Sequence, residues 1–447
     1  MTIKIKLAVV LCFFCVIGSA KVAKSEKSVL TPAEENSVKA VRSFIKSNWK
    51  NTIRQHRNDS DSYLGVPKPY TIPTMKGAFQ EMYYWDTYFT NVGLIHDGNV
   101  EQAINNCENI LYMVERFGYM PNGNRTFYLH RSQPPYLSMM IRDVYQQTMD
   151  IDWLKKCLPT LEKEYKYWMT LHATPIGLNR YTNSNSDKEK LEAFYDLAPR
   201  LGKNYDMNAP KSDAEKIIIG SHFLAEAESG WDFNARFDRR CEDFCPVDLN
   251  ANLFMYEKNF AYFYKLTKEK DASKWTVLAN KRKALINKYL LNKKDGLFYD
   301  YDFVNNQLSN VYSAAVFNLL WSKALSTCHA KRIVKNLSKL EFEHGISTCE
   351  PGKRLYPYQW DYPNGWPNLQ FLAVKGLQNY GYESDATRIA HKYVVTVSDN
   401  FLLTNNLWEK YNIVVGTTNA VNEYEMPSMM GWTAGVFVYM SDFLLKK

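Results

Sequence analysis

The sequence predicts an all-α fold in which paired helices close into a barrel, with long loops at one end forming a pocket. Three observations carry this. Apolar residues recur at spacings of three and four in many segments of the 447-residue chain. Strand-like alternation is rare. Long loops rich in Asn, Gly, Pro, Trp and Tyr separate the helical segments. Loops of that length are functional or disordered, and their aromatic content argues against disorder. An open solenoid of helical hairpins is the competing architecture.

Taken in order, Glu35–His56 places Val38, Val41, Ile45, Trp49 and Ile53 on one helical face. Val66–Pro73 holds three prolines and reads as extended chain. Tyr83–Phe89 is densely aromatic. Asn99–Phe117, Leu137–Met149 and Asp152–His172 are helical, separated by Gly118–Pro135, which is rich in turn residues. Asn179–Asp187 is turn-like. Asp248–Leu266, Lys270–Leu291 and Val311–Leu325 resume the helical period, with a turn-rich Asn292–Asn310 between the last two. Arg354–Gln370 is a Trp/Pro/Asn/Gly loop that leads into a helix. Asp385–Val397 and Gly435–Leu445 complete the helices.

Composition bounds the function. A hydrophobic fraction of 46% supports a large core. Aromatic residues make up 15%, including 31 Tyr and 11 Trp, which suits a carbohydrate cleft as well as a core. The formal net charge is +8, but no block of five or six Lys/Arg stands out, so nucleic acid is not an expected partner. Met1–Ala20 reads as a cleavable export signal. Lys4 and Lys6 precede an apolar Leu7–Ile17, and Gly18-Ser19-Ala20 supplies small residues for cleavage. No apolar run is long enough to span a membrane, so no membrane anchor is expected. A secreted or periplasmic protein is expected, with residues 21–447 as a single catalytic domain.

Beyond the leader stand Cys107, Cys157, Cys241, Cys245, Cys328 and Cys349. They allow up to three disulfides, with Cys241–Cys245 and Cys328–Cys349 the simplest pairs, or six free thiols. The chain has only 8 His and no Cys-x-x-Cys or His-x-x-x-His cluster, so neither a metal nor another cofactor is expected.

The chemistry centres on Ala225–Phe237, where Asp232 follows Gly230 and Trp231. Glycine lets the backbone bend or lets a ligand approach. Trp231 offers a flat face for a sugar ring, and a carboxyl beside an apolar wall suits a general acid. The plain alternative is a helix ending at Gly230 with a core Trp and a solvated Asp. Other loops weigh against it. They are Phe79-Gln-Glu-Met-Tyr-Tyr-Trp85-Asp86-Thr-Tyr-Phe, Pro121-Asn122-Gly-Asn-Arg-Thr-Phe-Tyr-Leu-His-Arg131-Ser132-Gln133-Pro-Pro and Gln359-Trp-Asp-Tyr-Pro-Asn-Gly-Trp366. Trp408-Glu409-Lys-Tyr-Asn412, Asn422-Glu423-Tyr424 and Gly431-Trp-Thr-Ala-Gly435 follow.

From about Thr71 onward these motifs, in this order, resemble the trehalase family of inverting glycosidases. The resemblance implies an (α/α)6 barrel and hydrolysis of α,α-trehalose with inversion. It places the general acid on Asp232 and the general base on Glu409. It places sugar contacts on Trp85, Asp86, Asn122, Arg131, Ser132, Gln133, Gly230 and Glu423. Inversion needs one carboxyl at the glycosidic oxygen and another on the far face to activate water, roughly 6.5–9.5 Å away. Taken singly, Asp86 also fits a helix N-cap, and Glu409 a surface position. Asp361 and Asn364 fit a Pro-Asn-Gly turn.

The sequence departs from the family in its sugar-gripping loops. The Pro-Gly-Gly-Arg-Phe string is replaced by Pro73-Thr-Met-Lys76-Gly-Ala-Phe79, and Lys76 lacks the planar fork of an arginine. No Arg-Pro-x-Glu segment lies near Thr182–Glu192, and Thr417–Asn422 replaces a glycine-rich run. Two of three pocket arginines are therefore expected to be missing. A different α-glycoside as substrate, or a sugar-binding protein with decayed catalysis, stands as the alternative.

Overall fold

A computed structural model describes residues 29–210, 212–352 and 356–446; the export signal expected at Met1–Ala20 lies outside them. The described residues form fourteen α-helices joined by long loops, in which the strands are each two residues long. In chain order the helices are α1 (Pro32–Asn48), α2 (Tyr84–His96), α3 (Val100–Phe117), α4 (Leu137–Thr148), α5 (Ile151–Thr170), α6 (Asp187–Leu197) and α7 (Asp213–Glu228). There follow α8 (Val247–Thr267), α9 (Ser273–Tyr289), α10 (Val316–Trp321), α11 (Thr327–Lys335), α12 (Pro367–Asn379), α13 (Glu383–Thr404) and α14 (Gly431–Leu445).

Six helices make a closed inner ring, α2 against α4, α4 against α8, then α10, α12, α14 and back to α2. The closed ring excludes the open solenoid. Around it lie α1, α3, α5, α9, α11 and α13, which gives the twelve helices of an (α/α)6 barrel. α6 and α7 form an additional pair packed on each other.

The two layers follow from their sequences. α3 buries Ala103, Cys107, Ile110, Met113 and Val114 on one stripe and shows solvent the other, as an outer helix must. Ile110, Met113 and Val114 each contribute about 1.5–3 kcal/mol on full burial. In α2 every residue from Tyr84 to Leu94 is buried, so no amphipathic period exists to be read. Its closest neighbour in the ring is α14, and glycines allow the approach. A Cβ on Gly93 would stand 2.4 Å from the Cα of Gly435, and one on Gly435 would stand 2.0 Å from the carbonyl oxygen of Phe89.

The loops that line the pocket precede α2, α4, α8, α12 and α14. None of the six cysteines in the described residues is in a disulfide, so neither pair left open by the sequence is made; five are buried and Cys328 is exposed. No helix among the described residues is long and apolar enough to cross a membrane.

Candidate active site

A cavity of about 780 Å³ opens at the N-terminal end of the ring. Its walls come from the loops ahead of the inner helices, and each loop is tied in place by buried polar groups. The loop before α2 and the Asn122–Arg131 loop are stitched through backbone bonds from Tyr84 N to Asn122 O (3.1 Å) and from Asn124 N to Met82 O (3.1 Å). Asp86 and Trp85 therefore stand in the first turn of α2 and face the pocket.

The Asp232 loop hangs between two anchors. Upstream, α7 starts on a capping box formed by Ser212 and Glu215 and ends at Glu228. The fully buried Glu228 carboxylate accepts from Ser132 N (3.0 Å), Thr182 N (3.1 Å), Tyr167 Oη (3.2 Å) and His172 Nε2 (2.9 Å). Downstream, the buried guanidinium of Arg236 grips Asp248 and Asp300 through two bonds each, at 2.8–3.2 Å. Such planar bidentate pairs fix orientation as well as position. Between the anchors Gly230 has φ +74°, and a Cβ there would lie 2.7 Å from the Trp85 ring. Only glycine meets both demands.

Asp232 faces the cavity, and its Oδ2 accepts from Arg200 Nη2 at 2.8 Å. The same Arg200 nitrogen lies 3.0 Å from Glu423 Oε2, while Glu423 Oε1 accepts from Phe233 N at 2.9 Å. Burial raises the Glu423 carboxyl to about 7, against the pull of Arg200.

Glu409 lines the same cavity and is held by the short antiparallel pairing of Asn364–Gly365 with Tyr411–Asn412 and by the first turn of α14. There Trp432 Nε1 donates to Glu409 O (3.1 Å) and Thr433 Oγ1 to Trp408 O (2.7 Å). The Glu409 carboxylate accepts from Tyr424 Oη (2.8 Å) and from the fully buried Lys410 Nζ (2.6 Å). Lys410 also lies over the rings of Trp366 and Tyr424.

Gln359 connects the two sides. Its Nε2 donates to Asp232 O (3.3 Å) and Tyr424 Oη (3.4 Å), and its Oε1 accepts from Lys410 Nζ (3.3 Å) and Glu423 N (3.4 Å). Burial and the nearby Glu409 push Asp86 up to about 8, so it is a neutral donor at pH 7.

Three donors of pocket-lining residues have no protein partner among the described residues, the Nδ2 of Asn122, the Nε of Arg131 and the Nε1 of Trp366, all buried. Buried orphan donors are costly unless a ligand meets them. The pocket thus combines carboxyl groups on two sides, unfilled donors, and flat walls from Trp85, Trp360, Trp366, Trp408 and Trp432. This is the chemistry of a polyhydroxylated ring held for proton transfer.

Comparison with known proteins agrees. Residues 17–444 match the Trehalase family model. A periplasmic trehalase of Salmonella agona is 34% identical, over 94% of this chain and 76% of the relative. One of Salmonella choleraesuis is 32% identical at the same coverage. The fold superposes on neutral trehalase from Saccharomyces cerevisiae with a TM-score of 0.73 and 26% identity, over 90% of this chain and 80% of that one. The chain belongs to the trehalase family. It is a glycosidase. A GH63 mannosylglycerate hydrolase from Thermus thermophilus shares the fold, with a TM-score of 0.64 at 14% identity, over 90% of this chain and 100% of that one.

Of the residues the trehalase resemblance singled out, Trp85, Asp86, Asn122, Arg131, Gln133, Gly230, Asp232 and Glu409 line the cavity together. Gln133 Oε1 accepts from Trp85 N at 3.2 Å. Two do not line it. Ser132 is buried behind the wall, its hydroxyl donating to Met120 O at 2.6 Å, so it shapes the loop instead of touching a sugar. Glu423 stands behind Asp232. Trp231 is a correction too: it is buried, stacked on Trp360 at 5.3 Å, with the Arg236 guanidinium 4.3 Å from its ring. Asp86 is no N-cap, because α2 begins at Tyr84 with Tyr83 as the cap residue. Glu409 is buried, not a surface residue. Asn364 shapes its turn, donating to Gln359 O and Val421 O.

The pocket is also less short of arginine than the sequence suggested. Arg200 enters from the turn after α6, at Pro199-Arg200, outside the segment where a match was expected. Lys76 lines the cavity mouth. Lys410, Tyr424 and Gln359 are further site residues that the motif strings contained but did not mark as functional.

Proposed function

We propose that Asp232 is the general acid and Glu409 the general base of an inverting α,α-trehalase, releasing glucose from both halves of the disaccharide. The arrangement around Glu409 carries this reading. A buried carboxylate that accepts from a cation and a phenol suits a group that works ionised and takes a proton from water. Asp232, which lines the same cavity, has an Oδ1 that takes no hydrogen bond among the described residues and so is free to carry the proton for the glycosidic oxygen. Asp86, Asn122, Arg131 and Gln133 supply donors and acceptors to sugar hydroxyls, and Trp85 an apolar face. Glu423 and Arg200 hold the Asp232 side of the pocket in place.

Trehalose is favoured over another α-glycoside because the family and its periplasmic relatives are trehalases and because Arg200 restores an arginine to the pocket. Export to the periplasm follows from the same relatives and from the leader-like Met1–Ala20, and residues 21–447 act as one catalytic domain. Incubating the purified protein with a panel of disaccharides tests the substrate. The expected result is that trehalose is cleaved with the highest kcat/KM; a better α-glucoside would move the assignment, and binding without any product would remove it.

A further inference from the structure

A second cavity, about 540 Å³, lies at the opposite end of the ring, and each of the six inner helices gives it at least one side chain. A buried aromatic layer of Tyr88, Phe89, Tyr136, Trp321 and Phe371 separates it from the pocket above. It contains none of the residues assigned to trehalose.

Its charge is one-sided. Arg142, Lys258, Lys323 and Lys375 line it, against one carboxyl, Asp143. None of the four cations makes an ion pair among the described residues. Arg142 donates to Asn259 Oδ1 at 3.0 Å and lies 4.9 Å from the Tyr262 ring, Lys375 lies 5.4 Å from the Tyr439 ring, and both attract the Asp143 carboxyl without an ion-pair contact. Cations do gather at helix C-termini to offset the dipole, but that effect fades beyond the last turn. It accounts for Lys323, which follows α10. It does not account for Arg142, Lys258 or Lys375, which sit a turn or more inside α4, α8 and α12. Four like charges around one hollow repel each other unless an anion joins them.

The rest of the lining specifies more than a bare anion. Tyr88, Trp321, Phe371 and Tyr439 form an aromatic floor, and the amides of Gln146, Gln147 and Asn379 stand at the rim. Aromatic faces with amide donors suit a sugar ring, and converging Lys and Arg suit a phosphate monoester.

We infer that this lower cavity binds a phosphorylated sugar, its phosphate between Arg142 and Lys375 and its ring on the aromatic floor. Titration calorimetry on the full chain tests this with glucose 6-phosphate, inorganic phosphate and glucose as probes. Glucose 6-phosphate binds at one site, more tightly than either other probe. Lys375→Gln and Arg142→Gln each weaken it at least tenfold while trehalose turnover is unchanged. Glu409→Gln leaves the binding as it is. Should either core variant fold poorly, Lys258→Ala with Lys323→Ala, both exposed, weakens binding in the same direction.

No binding at millimolar glucose 6-phosphate overturns the proposal. So does binding that ignores these substitutions or is displaced by trehalose, which would place the probe in the upper pocket. Inorganic phosphate binding as tightly as glucose 6-phosphate would overturn the sugar half of the claim.

Discussion

At the upper end of the ring, the proposed acid and base each have a cation: Asp232 and Glu423 share Arg200, and Glu409 has Lys410, while Arg131 and Lys76 line the pocket in no ion pair among the described residues. At the lower end, Arg142, Lys258, Lys323 and Lys375 surround a hollow with one carboxyl between them. The same six helices build both ends, so the difference lies in which side chains their two termini carry. The upper end leaves single directed donors, on Asn122, Arg131, Trp366 and a neutral Asp86, to meet a ligand. That suits a neutral sugar. The lower end carries more positive charge than its single carboxyl, Asp143, offsets.

Substitutions sharpen the contrast. The largest effect is expected at the two carboxylates. Asp232→Asn and Glu409→Gln should each lower kcat by about 10²–10⁴-fold or more, with the melting temperature little changed. A rate near that of the parent in either variant would remove that residue from the mechanism.

Lys410→Met should come next. It leaves a buried carboxylate without its cation, which costs about 3–5 kcal/mol of stability and takes activity with it. Chemical denaturation and initial rates measure both. A lysine that could be removed freely would mean the matched charges at the upper end are incidental.

Gln359→Ala should lower kcat by about tenfold, equivalent to about 1.4 kcal/mol, because hydrogen bonds that orient both carboxylates are lost while the sugar contacts remain. KM should stay close to the parent value. An unchanged kcat with a raised KM would make Gln359 a sugar contact instead of a positioning residue.

The remaining prediction concerns stability alone, at Asp86. The native protein holds its proton up to about 8, whereas the unfolded chain releases it near ~4. The native state therefore binds the extra proton across that window, and stability falls as pH rises through it. Asp86→Asn removes this loss. Its melting temperature should exceed the parent's above pH 8, and the gap should close as pH falls toward ~4. A gap that widens on acidification would mean that Asp86 is not held neutral by burial.

Much of this was legible in the sequence, for reasons tied to particular elements. The outer helices α3 and α5 carry a single apolar stripe, and their predicted limits fall within two residues of those observed. α2 was invisible because it is buried all round and so has no stripe. α6 lay in a segment with no motif and a weak pattern, and Arg200 just beyond it went unseen for the same reason. Long loop motifs located the pocket, but a motif does not say which of its residues point inward. Neighbours in a loop face different ways, so Asp232 lines the cavity while Trp231 is core, and Gln133 lines it while Ser132 is behind the wall. The charge asymmetry between the two ring ends could not be read at all, since it depends on which turns of six separate helices meet.

The central claim is that acid and base act from opposite walls of one pocket, and the anomers of fresh product test it most directly. Proton NMR in the first minutes of trehalose cleavage should show α- and β-glucose in equal amounts, one from each half of the substrate. α-Glucose alone would mean retention, and would contradict the roles given to Asp232 and Glu409.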